Sequence, residues 1–275
     1  MRVWKPCLQD SLDISKHNAP VTFATSSLDT LEKVIITGSR DGILKLWKKE
    51  ETSGLLELKL SFQAHEGSVN CGCFKTLSST TFMTGGDDNA IYTWQIMDRK
   101  DGFFVRKLAH LKVEYPVVCI VSSQSPGEFF FSTWGGDVTS YRESGGRKRL
   151  YLESEKASPD VKMWVTCLTF DPDSSYMLLM GSTQSRMHAL AMRTGVREAT
   201  QQATIQVDTE EVDQGCHPDR ILPNFVNCCA VHKDVQEDGS VVTAIFAGDS
   251  RGQIIISKGH PTDHFTQKVG SSQKH

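Results

Sequence analysis

The chain has 275 residues and a formal net charge of −3 at pH 7, so it is long enough to bury a sizeable core and carries no general attraction for nucleic acid or anionic membranes. No apolar run approaches the roughly 20 residues that span a bilayer, and no signal-peptide core follows the N-terminus. We therefore expect a single intracellular, cytoplasmic domain, with a nuclear location left open and with neither membrane nor nucleic acid as a partner.

The first sixteen residues contain the short run Arg2-Val3-Trp4 and a polar connection. The run has the form of the last strand of a repeat that recurs further along the chain, but nothing upstream supplies the strands that would precede it. We therefore predict a partial repeat over residues 1–16.

Two regular copies of one pattern follow. Residues 37–47 read T-G-S-R-D-G-I-L-K-L-W, and residues 84–94 read T-G-G-D-D-N-A-I-Y-T-W. In each copy an Asp enters a turn that is closed by a residue tolerant of positive φ, Gly42 or Asn89, and an alternating apolar run then leads to a Trp. The pattern predicts two strands joined by a tight turn, and its recurrence at a fixed spacing predicts a repeat architecture.

Three weaker copies lie further along, at residues 131–141, 180–190 and 247–257. Short runs rich in Val and Cys precede them and are typical of inner strands. We therefore predict five four-stranded repeats, over residues 17–60, 61–104, 105–152, 161–200 and 223–269. The acidic stretch at 207–219 is poor in apolar residues and predicts a surface loop.

In its two regular repeats the chain resembles WD-repeat β-propeller proteins, whose blades are four-stranded sheets of about 40–45 residues. The resemblance implies an all-β propeller with five recognisable blades and a partial N-terminal blade. It also implies a buried hydrogen-bond chain in each regular blade, formed by His17, Thr37, Asp41 and Trp47 and by His65, Thr84, Asp88 and Trp94. The sequence departs from the family pattern at Lys16 and Ala64, where a Gly usually precedes the His, and at Lys48 and Gln95, where an Asp usually follows the Trp.

Five blades and a fragment would leave a seam with unpaired strand edges, which natural proteins avoid. We therefore expect the chain to be a truncated product or part of a longer propeller, or to be completed by a partner. A ring closed by this chain alone would contradict that expectation.

No sequence motif for phosphate binding, serine hydrolysis or zinc proteolysis is present, so an enzyme of unknown reaction is the minor alternative. The cysteines lack metal-ligand spacing and clustered His partners, and we predict neither metal nor cofactor. The resemblance instead implies a scaffold that presents a propeller face to peptides or protein domains within a larger assembly. The short sequences A-H-E-G and T-G-G-D-D are also similar to those of echinoderm-type microtubule-associated propellers, which makes microtubules an alternative partner.

In WD-repeat propellers the residue before the turn Asp and the residue before the first strand project onto one face. By position these are Arg40, Asp87, Trp134, Thr183 and Ser250 in the first set, and Pro20, Ser68, Pro116, Trp164 and Phe225 in the second, with Tyr115 beside them. Trp, Tyr and Arg dominate interface energetics, so the predicted partner face comprises Arg40, Asp87, Tyr115, Pro116, Trp134, Trp164, Thr183, Phe225 and Ser250. Two alternatives stay open: Trp134 turns inward to fill its own blade, or partners bind the acidic loop around Glu210 and Glu211.

Overall fold

The structure is a computed structural model of the chain. It describes residues 17–27, 34–49, 56–76, 78–99, 102–123, 127–136, 138–142, 146–150, 165–170, 177–182, 186–192, 199–206, 226–235, 241–250 and 254–259. These residues form nineteen β-strands, which confirms the predicted all-β class. None of the described segments is a helix long and apolar enough to cross a membrane.

The first compact unit covers residues 1–117 and contains two four-stranded antiparallel sheets whose strands pair in chain order. The first sheet consists of β1 (Val21–Ser26), β2 (Val34–Ser39), β3 (Ile43–Lys49) and β4 (Leu56–Gln63). The second sheet consists of β5 (Val69–Phe74), β6 (Thr81–Gly86), β7 (Ala90–Arg99) and β8 (Gly102–Lys112).

The second compact unit covers residues 118–275 and begins within the third sheet. That sheet consists of β9 (Val117–Ser122), β10 (Glu128–Thr133), β11 (Val138–Arg142) and β12 (Gly146–Leu150). The fourth consists of β13 (Val165–Phe170), β14 (Met177–Ser182), β15 (Arg186–Met192) and β16 (Ala199–Gln206). The fifth has three described strands, β17 (Val226–Val235), β18 (Val241–Asp249) and β19 (Ile254–Gly259).

The strand bounds differ from the predicted repeats in three places. Strand β4 continues to Gln63, past the predicted end at residue 60. Strand β8 runs to Lys112, beyond the predicted end at residue 104, because both strands of the β7–β8 hairpin are long, with ten and eleven residues. The fourth sheet likewise continues to Gln206, past the predicted end at residue 200. The predicted partial repeat at 1–16 and the acidic loop at 207–219 lie outside the described residues, and closure of the five sheets into a ring stays a prediction.

The core of the first unit lies between its two sheets. Apolar residues that alternate along β2 and β3 meet the inner strands of the second sheet, and the most deeply buried members are Ile36, Leu44, Leu46, Val69 and Phe82. Trp94 is also buried there, with its ring edge-on to Phe62 at a centroid distance of 5.3 Å. The alternation that predicted the strands therefore also defines which strand faces are buried.

A β-bulge recurs near the start of the first strand in four of the sheets. The register slips by one residue at Thr22, Asn70, Thr166 and Asn227. A bulge leaves one extra residue outside the ladder and changes the direction of its side chain. Here Thr22 donates to the carbonyl of Val69 and Thr166 donates to the carbonyl of Val226, each at the start of the next sheet of the same unit. Asn70 donates to the carbonyl of Val117, the last residue of the first unit, at 2.9 Å. Within each unit, hydrogen bonds of this kind fix the first strands of neighbouring sheets to each other.

Candidate functional site

The predicted turns adopt the conformation that the sequence demands. Gly42, Asn89 and Gly136 have φ angles of 81°, 58° and 87°, in the left-handed region. At Gly42 a side chain would also collide with the chain, since a Cβ there would lie 2.3 Å from the backbone oxygen of His65. The glycine is therefore required both by its own backbone and by the segment that passes over it.

Each of the first two turns is tied to the segment that leads into the following sheet. The backbone N–H of Ala64 donates to the carbonyl of Gly42 at 2.9 Å, and the side-chain amide of Gln63 donates to the carbonyl of Asp41 at 2.9 Å. After the second turn, the N–H of Val113 donates to the carbonyl of Asn89, also at 2.9 Å. These bonds give the loop end of the first unit a rigid base.

The second sheet contains a continuous buried hydrogen-bond chain. Trp94 Nε1 donates to Thr84 Oγ1 at 2.8 Å, and Thr84 Oγ1 lies 2.8 Å from His65 Nε2. On the other side of the ring, His65 Nδ1 lies 2.8 Å from Asp88 Oδ1. The structure thus brings together all four residues of the second predicted set, and the chain joins the entry loop, two strands and the turn.

The chemistry of these groups determines which atom donates and which atom accepts in each hydrogen bond of the chain. Burial lowers the pKa of His65, and the hydrogen bond and charge of Asp88 oppose that effect only in part. The ring is therefore neutral at pH 7, and since a carboxylate only accepts, its proton lies on Nδ1. Nε2 then accepts from the Thr84 hydroxyl, which in turn accepts from the indole N–H. Every polar atom along the line is satisfied, which is what a buried polar network requires.

The first sheet contains only part of this chain. Trp47 Nε1 donates to Thr37 Oγ1 at 2.9 Å, and Thr37 Oγ1 lies 2.8 Å from His17 Nε2. The sequence pattern predicted a hydrogen bond between Asp41 and His17, but the structure does not contain it. Asp41 Oδ1 accepts from the Ser39 hydroxyl and from the N–H of Ile43, while Asp41 Oδ2 and His17 Nδ1 are buried without a hydrogen-bond partner.

One residue explains the difference between the two sheets. Position 39 of the first sheet corresponds to Gly86 of the second, where a Cβ would lie 2.6 Å from His65 Nδ1. The missing side chain at Gly86 therefore makes room for the imidazole to reach Asp88. In the first sheet Ser39 places a side chain at this position and offers its own hydroxyl to Asp41. The serine thus replaces the histidine as the partner of the carboxylate.

The third sheet has exchanged the polar chain for aromatic packing. By position, Phe131 replaces the Thr of the chain, and Tyr141 replaces the Trp. Phe129 lies between them, with ring centroids 6.1 Å from Phe131 and 5.0 Å from Tyr141. A blade-like sheet without the Asp can therefore still form, because apolar contacts bury the same space.

The side chains of Thr84, His65 and Asp88 stand in the same order as the nucleophile, base and orienting carboxylate of a catalytic triad. A catalytic hydroxyl must reach a substrate. Thr84 is completely buried and His65 is 2% exposed, and the Thr84 oxygen already accepts the Trp94 indole N–H. Among the described residues, no group of three or more His, Cys, Asp or Glu is placed to hold a metal ion. The geometry of this group therefore fits a structural role, in which its hydrogen bonds connect the entry loop, the strands and the turn.

The two sets of predicted face positions lie side by side where the structure describes them within the first unit. The N–H of Arg40 donates to the carbonyl of Pro20 at 3.0 Å, and the N–H of Asp87 donates to the carbonyl of Ser68 at 2.9 Å. The side chains of Arg40 and Asp87 are exposed. Backbone pairing thus holds each exposed side chain at the loop end of its sheet.

The other members of the predicted face fall into three groups. Tyr115 is 44% exposed and Pro116 is partly buried, at the end of the first unit. In the second unit Trp134 is 55% exposed, so it does not turn inward to fill its sheet, and Ser250 is exposed as well. Trp164, Thr183 and Phe225 lie outside the described residues, as do Glu210 and Glu211.

Asn70 is a member of this region that the sequence pattern did not single out. Its amide nitrogen donates to Asp87 Oδ1 at 2.7 Å and to the carbonyl of Val117 at 2.9 Å. The exposed carboxylate of Asp87 is therefore held in one orientation by the bulged residue of β5. A polar residue recurs at this bulge position in four of the five inner strands, and that recurrence was the available signal.

Residues 9–48 and 56–95 match the family model for the WD40 repeat, described as WD domain, G-beta repeat. These two segments of the chain are therefore WD40 repeats. The chain is 31% identical over 140 residues to the ribosome biogenesis protein WDR12 homolog of Chlamydomonas reinhardtii, a match that covers 49% of this chain. It is 31% identical over 94 residues to the U3 snoRNP-associated protein-like EMB2271 of Arabidopsis thaliana, a match that covers 34% of this chain. It is 35% identical over 82 residues to the U3 snoRNP-associated protein-like YAOH of Oryza sativa subsp. japonica, a match that covers 29% of this chain. The three matches span 30%, 18% and 15% of the relatives' own lengths.

The hydrogen-bond chain generates a first prediction. We expect Asp88→Ala to lower the free energy of unfolding by about 1–3 kcal/mol, because the buried Nδ1–H of His65 loses its acceptor. The matched control is Asp98→Ala, which removes an exposed carboxylate 3.4 Å from Lys48 Nζ and should cost less than about 0.5 kcal/mol. Denaturant unfolding of both variants tests this, and equal losses would contradict a structural role for Asp88.

The comparison of Ser39 with Gly86 generates a second prediction. Gly86→Ser puts a side chain against the imidazole and should destabilise the protein by about 1–3 kcal/mol, because His65 must leave Asp88. Ser39→Gly removes the competitor for Asp41 and lets His17 reach it, which offsets the roughly 0.5–1 kcal/mol that a glycine costs within a strand. We therefore expect a near-neutral change in that variant. A larger loss in Ser39→Gly than in Gly86→Ser would show that the serine does not displace the histidine.

Proposed function

We propose that the chain is a non-catalytic protein-interaction scaffold that presents the loop ends of its sheets to polypeptide partners within a ribosome-biogenesis assembly. The observation that carries the proposal is the backbone pairing of Arg40 with Pro20 and of Asp87 with Ser68, which holds exposed side chains on a rigid base. Preorganised side chains of this kind favour binding, because little conformational freedom is lost when a partner docks. The deep burial of the only described His, Thr and Asp group that resembles a catalytic triad supports a scaffold over an enzyme.

The class of assembly comes from the relatives. The names of three of them refer to ribosome biogenesis or to the U3 snoRNP. Such assemblies hold both protein and RNA, whereas the sequence predicts no nucleic-acid partner for this chain. A ribosome-biogenesis role would favour the nuclear location that the sequence left open.

The charges at the loop ends favour protein over RNA as the direct contact. In the described part of the first unit, Glu66, Asp87 and Glu114 are exposed there, against the two cations Arg40 and Lys112. A phosphate backbone is bound by clusters of Lys and Arg, and these loops offer a surplus of carboxylates. The exposed aromatic side chains of Tyr115 and Trp134 are of the type that dominates protein interfaces.

Co-purification of the tagged full chain from cells that produce it tests the proposal, with the captured proteins identified by mass spectrometry. We expect ribosome-biogenesis proteins to be captured in an amount that survives ribonuclease treatment. Arg40→Glu, Asp87→Lys and Trp134→Ala should each reduce the capture by roughly tenfold, the effect of about 1.4 kcal/mol at an interface, with no change in the melting curve.

Two charge changes on the outer hairpin of the second sheet serve as matched controls. Arg106→Glu and Asp98→Lys alter exposed side chains away from the loop ends and should leave the capture intact. Equal capture by face and control variants would contradict the proposed face. Co-sedimentation with microtubules that exceeds the capture of ribosome-biogenesis proteins would favour the microtubule alternative, and capture that disappears with ribonuclease would make RNA the direct contact.

A further inference from the structure

The second unit contains a close pair of thiols that the scaffold function does not use. Cys167 of β13 and Cys229 of β17 belong to the first strands of neighbouring sheets, and their Sγ atoms lie 3.3 Å apart. Both cysteines are free. A disulfide requires an S–S distance of about 2.05 Å, so the two sulfurs must approach each other by about 1.2 Å before a covalent bond can form.

Neighbouring groups hold the pair in place. The Thr166 hydroxyl donates to the carbonyl of Val226 and so fixes β13 to β17 beside the thiols. Cys167 lies opposite Gly181 in the β13–β14 ladder, where a Cβ would lie 2.5 Å from its sulfur. The glycine thus leaves the space that the Cys167 side chain occupies, and the sulfur stays directed at Cys229.

Two further cysteines lie in this region, and neither competes with the pair. Cys228 precedes Cys229 in β17, and successive side chains of a strand point to opposite faces; its sulfur lies at Gly248, where a Cβ would be 2.6 Å away. Burial raises the pKa of the Cys119 thiol to about 12, and the short Sγ–Sγ contact in this part of the described structure joins Cys167 to Cys229 and not to Cys119.

The two paired thiols differ in acidity in a way that suits oxidation. The hydrogen-bond contact between the two sulfurs lowers the pKa of Cys167, and the same contact raises the pKa of Cys229. The thiolate is the reactive form of a cysteine. Cys167 is therefore placed to react first, with Cys229 as the second thiol beside it.

We propose that Cys167 and Cys229 form a reversible disulfide, made by peroxide, that links the first strands of the fourth and fifth sheets. In the first step the Cys167 thiolate attacks hydrogen peroxide, the O–O bond breaks, and the products are a sulfenic acid and hydroxide, which a proton converts to water. In the second step Cys229 gives up its proton and attacks the sulfenic sulfur, so that the S–S bond forms and a second water leaves. Peroxide is reduced, two thiols are oxidised, and a dithiol reductant reverses the change.

The disulfide would stabilise the second unit of the scaffold against unfolding. It closes a loop from residue 167 to residue 229 and ties two sheets that otherwise meet through non-covalent contacts. Cross-links that close loops of this size stabilise a fold mainly by restricting the unfolded chain. Exposure to peroxide would therefore make the second unit more resistant to unfolding.

Peroxide treatment of the purified, folded chain tests the proposal. We expect a disulfide-linked peptide that joins Cys167 to Cys229, a joint loss of both residues from alkylation while Cys228 still reacts, and a rise in Tm of roughly 5–10 °C that dithiothreitol reverses. This measurement on the unaltered chain does not depend on the folding of any variant.

Two neighbouring substitutions complete the design. Cys229→Ser should abolish both the linked peptide and the rise in Tm and leave a sulfenic acid on Cys167 that dimedone traps, whereas Cys228→Ser should behave like the unaltered chain. A link between other cysteines would overturn the proposal. So would a folded chain in which Cys167 and Cys229 still react with the alkylating agent after peroxide has oxidised Cys228.

Discussion

The second sheet depends on the requirement that a buried imidazole and a buried carboxylate satisfy each other. Removing a polar group from water without a partner costs several kcal/mol, so His65 and Asp88 stabilise the fold only because Thr84 and Trp94 complete the chain. The same bonds fix the entry loop, the turn and two strands in one geometry. Since burial lowers the pKa of His65, the unfolded chain takes up this proton more readily than the folded one. The contribution of His65 to stability is therefore present near pH 7 and is lost as the pH falls below about 6.5.

Three sheets in one chain solve the same structural problem in different ways. The second sheet completes the polar chain, the first diverts Asp41 to Ser39, and the third replaces the chain with Phe129, Phe131 and Tyr141. A repeat can lose its most recognisable residues where other contacts fill the same volume, although in the first sheet this leaves Asp41 Oδ2 and His17 Nδ1 without a hydrogen-bond partner. This explains why the repeat pattern fades along the chain while four-stranded sheets still form.

The sequence predicted the all-β class, the order of strands and turns, and the four members of the second hydrogen-bond chain. These features depend on the alternation of apolar residues, on residues that allow positive φ, and on a repeated motif. The displacement of His17 from Asp41 was not predicted, because it depends on one Cβ at position 39 whose effect is visible only in three dimensions. The role of Asn70 was missed for a similar reason, because a bulge changes the direction of a side chain that strand alternation would assign to another face. The end of β8 was misjudged because a long hairpin has no sequence signal for its length.

The proposed interaction function builds on this rigidity. The turns that carry Arg40 and Asp87 are held by the segments that enter the next sheet and, at Asp87, by Asn70. A loop end that is fixed from below can present side chains to a partner without first having to be ordered. The buried hydrogen-bond chain thus lies beneath the loops that carry the candidate contact residues.

The protonation state of His65 determines whether the buried hydrogen-bond chain of the second sheet is continuous. A long-range proton–nitrogen NMR spectrum of the folded chain distinguishes the two ring nitrogens and follows their titration. We expect a neutral ring at pH 7 with its proton on Nδ1, and a pKa below the usual value of about 6.5. A proton on Nε2 at pH 7, or a ring that becomes charged above pH 6.5, would contradict the continuous chain from Trp94 to Asp88.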